Sequence, residues 1–227
     1  MRVCGLGLET PLEVRAGVPA VLEIENSRMF ARCCQSLVSE GGEDAAEPYS
    51  LWDGEGREIG PTNGFLPVLS PLDLPWDDKA IVGNLHRYVR DRLYEEYKIR
   101  ESIERLAHEM GGLITQFNMQ VEGEYAFDVE WDLMRYLKML AFRPQHDESE
   151  SVLDNLIRFL DTCYDVKLNR PLLFITVKPF LSEKDIAELY ERIFFLDLEV
   201  LLIEPVRDAR LFARESKRCI DLHFLES

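Results

Sequence analysis

Base is scarce in this chain relative to acid. Its 227 residues hold 26 lysines and arginines against 42 aspartates and glutamates, a formal net charge of -16. Phosphate backbones are bound by neutralising them with lysine and arginine, so the overall balance speaks against nucleic acid as a partner. Apolar runs are short as well: Leu198 to Ile203 is broken by Glu199, far from the roughly 20 residues that span a bilayer. The start of the chain has no basic stretch followed by an apolar one, so a soluble, cytoplasmic protein is expected. The five cysteines (Cys4, Cys33, Cys34, Cys163, Cys219) form no CxxC pair, which excludes a regular disulfide framework or zinc site and predicts reduced thiols in or near the core. No Gly-x-x-x-x-Gly-Lys phosphate loop and no Gly-x-Ser-x-Gly elbow occurs. The four histidines, His86, His108, His146 and His223, stand apart without metal or triad spacing and are expected at the surface or against a partner.

What is present reads as an α/β head interrupted by helices. Arg2 to Leu8, Leu12 to Arg15 and Ala20 to Ile24 read as paired short strands. A helix capped by Asn26 or Ser27 follows and runs to about Val38. Gly41 to Gly64 alternates around Tyr49, Leu51 and Trp52 as a surface hairpin. Pro61, Pro67, Pro71 and Pro75 then keep the chain extended to Trp76. No proline occurs from Asp77 until Pro144, and Ile81, Leu85, Val89, Ile99, Ile103, Leu106, Met110 and Leu113 repeat at helical spacing. The expectation is one long amphipathic helix, with Gly111-Gly112 as the place for a kink, and a second helix from Asp128 to Leu140. Ser151 with Asp154 signals a further helix through about Tyr164. Leu172 to Val177 is apolar on both faces, as in a covered parallel sheet. Ser182 to Asp185 caps a helix from Ile186 to Phe195, and Val200 to Ile203 closes a β-α-β unit. The domain reading is 1–76 and 146–227 as two parts of one head, with 77–145 as an inserted helical limb.

Charge is unevenly spread. Between Glu40 and Glu58 seven acids face one base, whereas Lys79 to Arg105 holds seven bases against five acids and Pro205 to Arg218 five against two. On the long helix Lys79, Arg87, Arg90, Lys98 and Arg105 fall to one side, opposite its apolar residues. Such a stripe suits a phosphate backbone. A plain solvated face suits it better, because acids interleave it and Glu101 is spaced to pair with Arg105. The acids Glu122, Glu124, Asp128, Glu130 and Asp132 crowd the turn between the helices, a density of oxygens that suits calcium, although the EF-hand pattern is not met. Asp128, Glu130 and Asp132 are also accounted for as partners of a helix N-terminus. The head offers nothing comparable. After Leu22-Glu23-Ile24 the turn is Glu25-Asn26-Ser27-Arg28, with a carboxylate where a phosphate loop would hold phosphate.

Several segments together resemble one family. They are Met1-Arg2-Val3, Val82-Gly83-Asn84-Leu85 through Ile103-Glu104-Arg105-Leu106, and above all Leu172-Leu173-Phe174-Ile175, Phe180-Leu181-Ser182-Glu183-Lys184-Asp185-Ile186 and Val200-Leu201-Leu202-Ile203-Glu204-Pro205. The chain resembles the short-form type II-A CRISPR-associated adaptation proteins, the Csn-two family. The resemblance implies a head like that of P-loop ATPases but lacking a nucleotide site, a helical limb, and a homotetrameric ring. It implies that this ring threads linear double-stranded DNA from its ends during spacer acquisition, without sequence preference and without catalysis, alongside the CRISPR integrase and effector proteins. It places calcium on acids from Glu122 and Glu124 to Asp128, and it makes Arg87, Arg90, Arg135, Lys138 and Arg143, with Lys79 and Lys98 of the stripe, the DNA-binding candidates. Against it stands the charge of -16, fourfold in a tetramer, so binding is expected to be weak, salt-sensitive and calcium-dependent. Two other classes remain open: a nucleotide-dependent enzyme of the P-loop type, and a protein-binding scaffold that never meets DNA.

Overall fold

The structure, a computed structural model, describes residues 1–120, 122–123, 131–145 and 149–226. The chain divides into two compact units, Met1–Trp76 with Gln145–Ser227, and Asp77–Pro144.

In the first unit two sheets form. One is antiparallel, built from β1 (Arg2–Gly5), β2 (Leu12–Glu13), β4 (Tyr49–Trp52) and β5 (Glu58–Ile59) in the order β2-β1-β4-β5, with Val3 opposite both Leu12 and Leu51. The other is parallel throughout and has the order β6-β7-β8-β3-β9, from β3 (Ala20–Ile24), β6 (Leu66–Val68), β7 (Leu172–Ile175), β8 (Val200–Glu204) and β9 (Ser216–Ile220). Every residue of β3 and β8 is buried, including one carboxylate in each, Glu23 and Glu204. The expected pairing of Ala20 to Ile24 with the N-terminal strands is therefore corrected. A strand apolar on both faces is best buried inside a covered sheet, and β3 lies between β8 and β9. The predicted hairpin does form, but it is not simply superficial: Tyr49 and Leu51 enter the same core as Leu22, Leu201 and Ile203.

Helix α1 (Ser27–Val38) starts where Asn26 accepts the N–H groups of Arg28 and Met29, each at 3.1 Å, and it buries Met29, Cys33 and Leu37 in that core. The β7-to-β8 crossover is made by α6 (Glu183–Leu196), begun by a reciprocal Ser182–Asp185 capping box. It packs against α5 (Val152–Asp165), whose Phe159 meets Trp76 edge-on at 5.3 Å. Strand β7 stops at Ile175, two residues short of the sequence reading. Thr176 turns there to φ 56, a region β-branched residues avoid at a cost of about 1–3 kcal/mol. The two edge strands went unread. β6 contains Pro67, tolerable only at an edge, and β9 carries Ser216, Lys217 and Arg218 where strands are usually apolar.

The second unit holds α2 (Lys79–Glu95), α3 (Tyr97–Asn118) and α4 (Leu133–Met139). The single long helix expected here is thus two. Glu96 leaves the helical region at φ -96, ψ 72, while Gly111 and Gly112 stay helical. No residue of helix-breaking type marks the spot. A local contact spans it: the Arg100 guanidinium lies 5.5 Å from the rings of both Tyr94 and Tyr97. Among the described residues the last helix begins at Leu133, on an Asp132 cap. His86, expected at the surface, is buried, with Nε2 2.7 Å from the Phe142 carbonyl oxygen. His108 and His223 are exposed, and His146 lies outside the described residues.

All five cysteines are free, and Cys33, Cys163 and Cys219 are buried as predicted for core thiols. Burial pushes the Cys33 thiol up to about 12. It pushes that of Cys34 to about 11, against a smaller opposing pull from its own backbone. Alkylation reacts with the thiolate. Iodoacetamide at about pH 8 should therefore leave both residues unmodified in the native protein and label both in denaturant, as read by peptide mass spectrometry.

Candidate nucleic-acid interface

Arg87 and Arg90 sit one turn apart on α2, and Arg135 and Lys138 one turn apart on α4. The two helices pack together within the Asp77–Pro144 unit. Arg90 and Arg135, distant in sequence, thereby reach one cavity of about 380 Å³, joined by Arg100 from the start of α3. Tyr94, Trp131, Glu104 and Asp132 also line it. Sequence reasoning named Arg90 and Arg135 but missed Arg100, since only the break at Glu96 turns it toward them.

Each of these arginines has a carboxylate partner: Arg90 with Asp91 at 2.8 Å, Arg100 with Glu104 at 3.7 Å, and Arg135 with Asp132 at 3.5 Å. All three pairs are solvent-accessible, and such pairs contribute only about 0–1 kcal/mol, so an incoming anion displaces them at little cost. Lys79, Arg87, Lys98, Lys138 and Arg143 are exposed and form no salt bridge among the described residues. The continuous stripe from Lys79 to Arg105 does not survive, because Glu96 divides it between two helices. Arg105 pairs with Glu109 at 2.7 Å, not with Glu101 as its spacing suggested.

Of the acids expected to hold calcium, Glu124, Asp128 and Glu130 lie outside the described residues. Glu122 is exposed. The Asp132 carboxylate is committed to the N–H groups of Met134 (2.8 Å) and Arg135 (3.1 Å), which fits the helix-start alternative. Among the described residues no group of three or more His, Cys, Asp or Glu side chains could hold a metal ion.

The head carries a second charged centre that periodicity did not reveal. In open α/β sheets ligands settle beyond the carboxyl ends of the parallel strands. Here that edge is filled from within. Buried Lys178 places Nζ 3.2 Å from Glu23 Oε1 on β3, 3.3 Å from Glu215 Oε2 and 3.8 Å from Asp208 Oδ2. Lys217 on β9 adds contacts to Glu23 at 3.5 Å and Glu215 at 3.0 Å, and the Tyr190 hydroxyl donates to Glu215 at 3.1 Å. The carboxylate of Glu204, at the end of β8, accepts the backbone N–H groups of Val177 and Lys178, both at 2.9 Å. Burial pushes its pKa up, partly offset by those two bonds. Burial also works against the Asp208 carboxylate, yet hydrogen bonds from Arg210 and the charge of Lys178 outweigh it and hold the group at about 2. The only visible sequence signal was the Glu-Pro that ends β8 and the lone lysine after β7.

The β3-to-α1 turn is equally closed to phosphate. Asn26 takes the N–H groups at the helix start, and the Glu25 N–H donates to Ile220.

Removing Lys178 would leave the buried Glu23 and Glu215 to share Lys217 alone. Lys178→Ala should lower unfolding free energy by about 3–5 kcal/mol, measured by urea denaturation with far-ultraviolet circular dichroism.

A family model described as CRISPR-associated protein (Cas_Csn2) matches residues 43–221. Among solved structures, the chain is similar to the crystal structure of Stu0660 of Streptococcus thermophilus. The TM-score is 0.51 at 18% identity, covering 89% of this chain and 68% of that one, a likeness of fold alone. No curated protein matches.

Proposed function

The chain belongs to the Csn2 family of CRISPR-associated proteins, which take part in CRISPR adaptation, and from that premise we propose that it binds the ends of linear double-stranded DNA without sequence preference. The reading is non-catalytic: a homotetrameric ring holds duplex for the integrase and effector proteins of the same system. The observation that carries it is the gathering of Arg90, Arg100 and Arg135 at one cavity of the helical unit, in a chain whose net charge is -16. A protein this acidic has no reason of solubility to collect arginines at one place. Exposed Arg87, Lys138 and Arg143 extend the basic set along the same unit.

Assembly is supported by α3. Ile99, Leu106, Met110, Leu113 and Phe117 recur at alternating spacings of three and four, completed by Ile103, and all but Ile103 are at least half exposed. That is the seam of a coiled coil without its second helix. The same stripe favours the scaffold reading, in which the limb meets protein and no DNA.

The head is proposed to be a P-loop-type core that has lost its nucleotide. Its parallel sheet and crossover helix fit that architecture, while the charge network and the Asn26 cap occupy the places a nucleotide needs. Calcium is kept as part of the proposal, on Glu122, Glu124, Asp128, Glu130 and Asp132, where it would offset repulsion between the acidic protein and phosphate.

In mobility-shift assays linear duplex should bind and covalently closed circles should not, with affinity falling when a chelator is added. Substituting glutamate for Arg87, Arg90 and Lys138 together should weaken binding at least about tenfold and flatten the plot of log affinity against log salt by about 2–3, at about 0.9 per phosphate contact. Equal binding of circles, or an unchanged affinity in the triple variant, would discard this reading.

A further inference from the structure

Phosphate binding uses the arginines of the helical unit but leaves the rest of the cavity unexplained. Beside the arginines the lining includes apolar Leu93, Ile103, Leu133 and Met134, and it carries two aromatic side chains, Tyr94 and Trp131. Trp131 is half-buried and steadied by Tyr136, with ring centroids 4.8 Å apart at a 49° tilt. Tyr94 is 63% exposed and backed by the Arg100 guanidinium. Guanidinium groups sharing one cavity with apolar and aromatic side chains match an anionic group joined to a flat ring.

Size narrows the ligand. About 380 Å³ lies at the small end of ligand cavities, near 300–1,000 Å³, a size that suits one nucleotide. Bases inside a duplex have both faces stacked on neighbours. A base free to stack on a side chain comes from an unpaired strand end, and aromatic stacking of that kind tolerates any base. Glu104, already part of the lining, adds an acceptor for exocyclic amino groups.

We propose that this cavity binds one unpaired nucleotide at the end of a DNA strand, its base stacked on Trp131 and Tyr94 and its phosphate held by Arg90 and Arg135. The inference rests on the DNA-end reading and deepens it: the helical unit distinguishes a frayed or extended end from a blunt one.

Fluorescence anisotropy with the full chain, comparing a blunt duplex with the same duplex bearing a short 3′ extension of deoxyadenosines, tests it. The extended end should bind about tenfold tighter, the scale of one base–aromatic stack. Trp131→Ala, a residue the duplex reading does not use, should reduce the extended end to the blunt value while blunt affinity is unchanged. Trp131→Phe should retain most of the preference, which separates stacking from misfolding. Free deoxyadenosine monophosphate in excess should weaken the extended end more than the blunt one, so that the preference disappears. Equal affinity for the two ends in the unaltered protein overturns this inference and spares the blunt-end reading. Tight binding of the free nucleotide without any preference for the extended end overturns the strand-end assignment. If neither duplex binds, the DNA reading falls and takes this inference with it.

Discussion

Lys178 is 5% exposed and faces Glu23, which is fully buried, across 3.2 Å; around this pair Glu215, Asp208, Lys217 and Tyr190 close a network at the carboxyl edge of the parallel sheet. A carboxylate taken out of water costs several kcal/mol unless a counter-charge and hydrogen bonds answer it. The architecture of the head supplies those answers. Thr176 adopts an unfavourable left-handed conformation, and the turn it makes delivers the Val177 and Lys178 N–H groups to Glu204. Strand β9 is anchored at the sheet edge partly by Lys217, which joins the network from outside the apolar core. The strain, the buried acids and an edge strand of polar composition are consequences of one requirement, the satisfaction of charge in a dry place.

That requirement also shapes what the head can do. Its most ligand-prone edge is occupied by its own side chains, and the first helix N-terminus is capped by its own asparagine. Neither place offers free donors to a phosphate. The helical unit is built on the opposite terms. Its charges are accessible, its ion pairs weak, and the long helix α3 buries none of its residues. Groups that are cheap to rearrange are the ones suited to meet a partner, whereas those of the head are expensive to disturb.

The net charge of -16 misleads if read as a sum. Acid is concentrated between Glu40 and Glu58, where Asp53 is bound by Arg57, and among residues whose carboxylates serve internal purposes, as at Glu23, Glu204 and Asp132. A carboxylate engaged in a cap or buried ion pair adds little to the outward field. Local gatherings of arginine can therefore attract phosphate over short distances, with the salt dependence that screening imposes.

Much of the architecture was legible because local rules and tertiary demands agreed. The two-faced strands β7 and β8, the caps at Asn26, Ser151 and Ser182, and the free cysteines followed from periodicity, side-chain hydrogen bonding and spacing. Legibility failed where a residue's role depended on partners remote in the chain. The break at Glu96 is a separate case: no helix breaker marks it, and the Arg100 contact with Tyr94 and Tyr97 that flanks it is local. Pro67 and Lys217 looked like loop residues because only an edge strand tolerates them. Arg90 and Arg135 could be named as basic but not as neighbours, and Arg100 not at all. The sequence by itself determined class, helix starts and the buried strands, for these depend on interactions within a few residues. Only tertiary structure decided that Lys178 is internal and that three arginines share one cavity, because charge and shape act through space and the chain order does not encode distance.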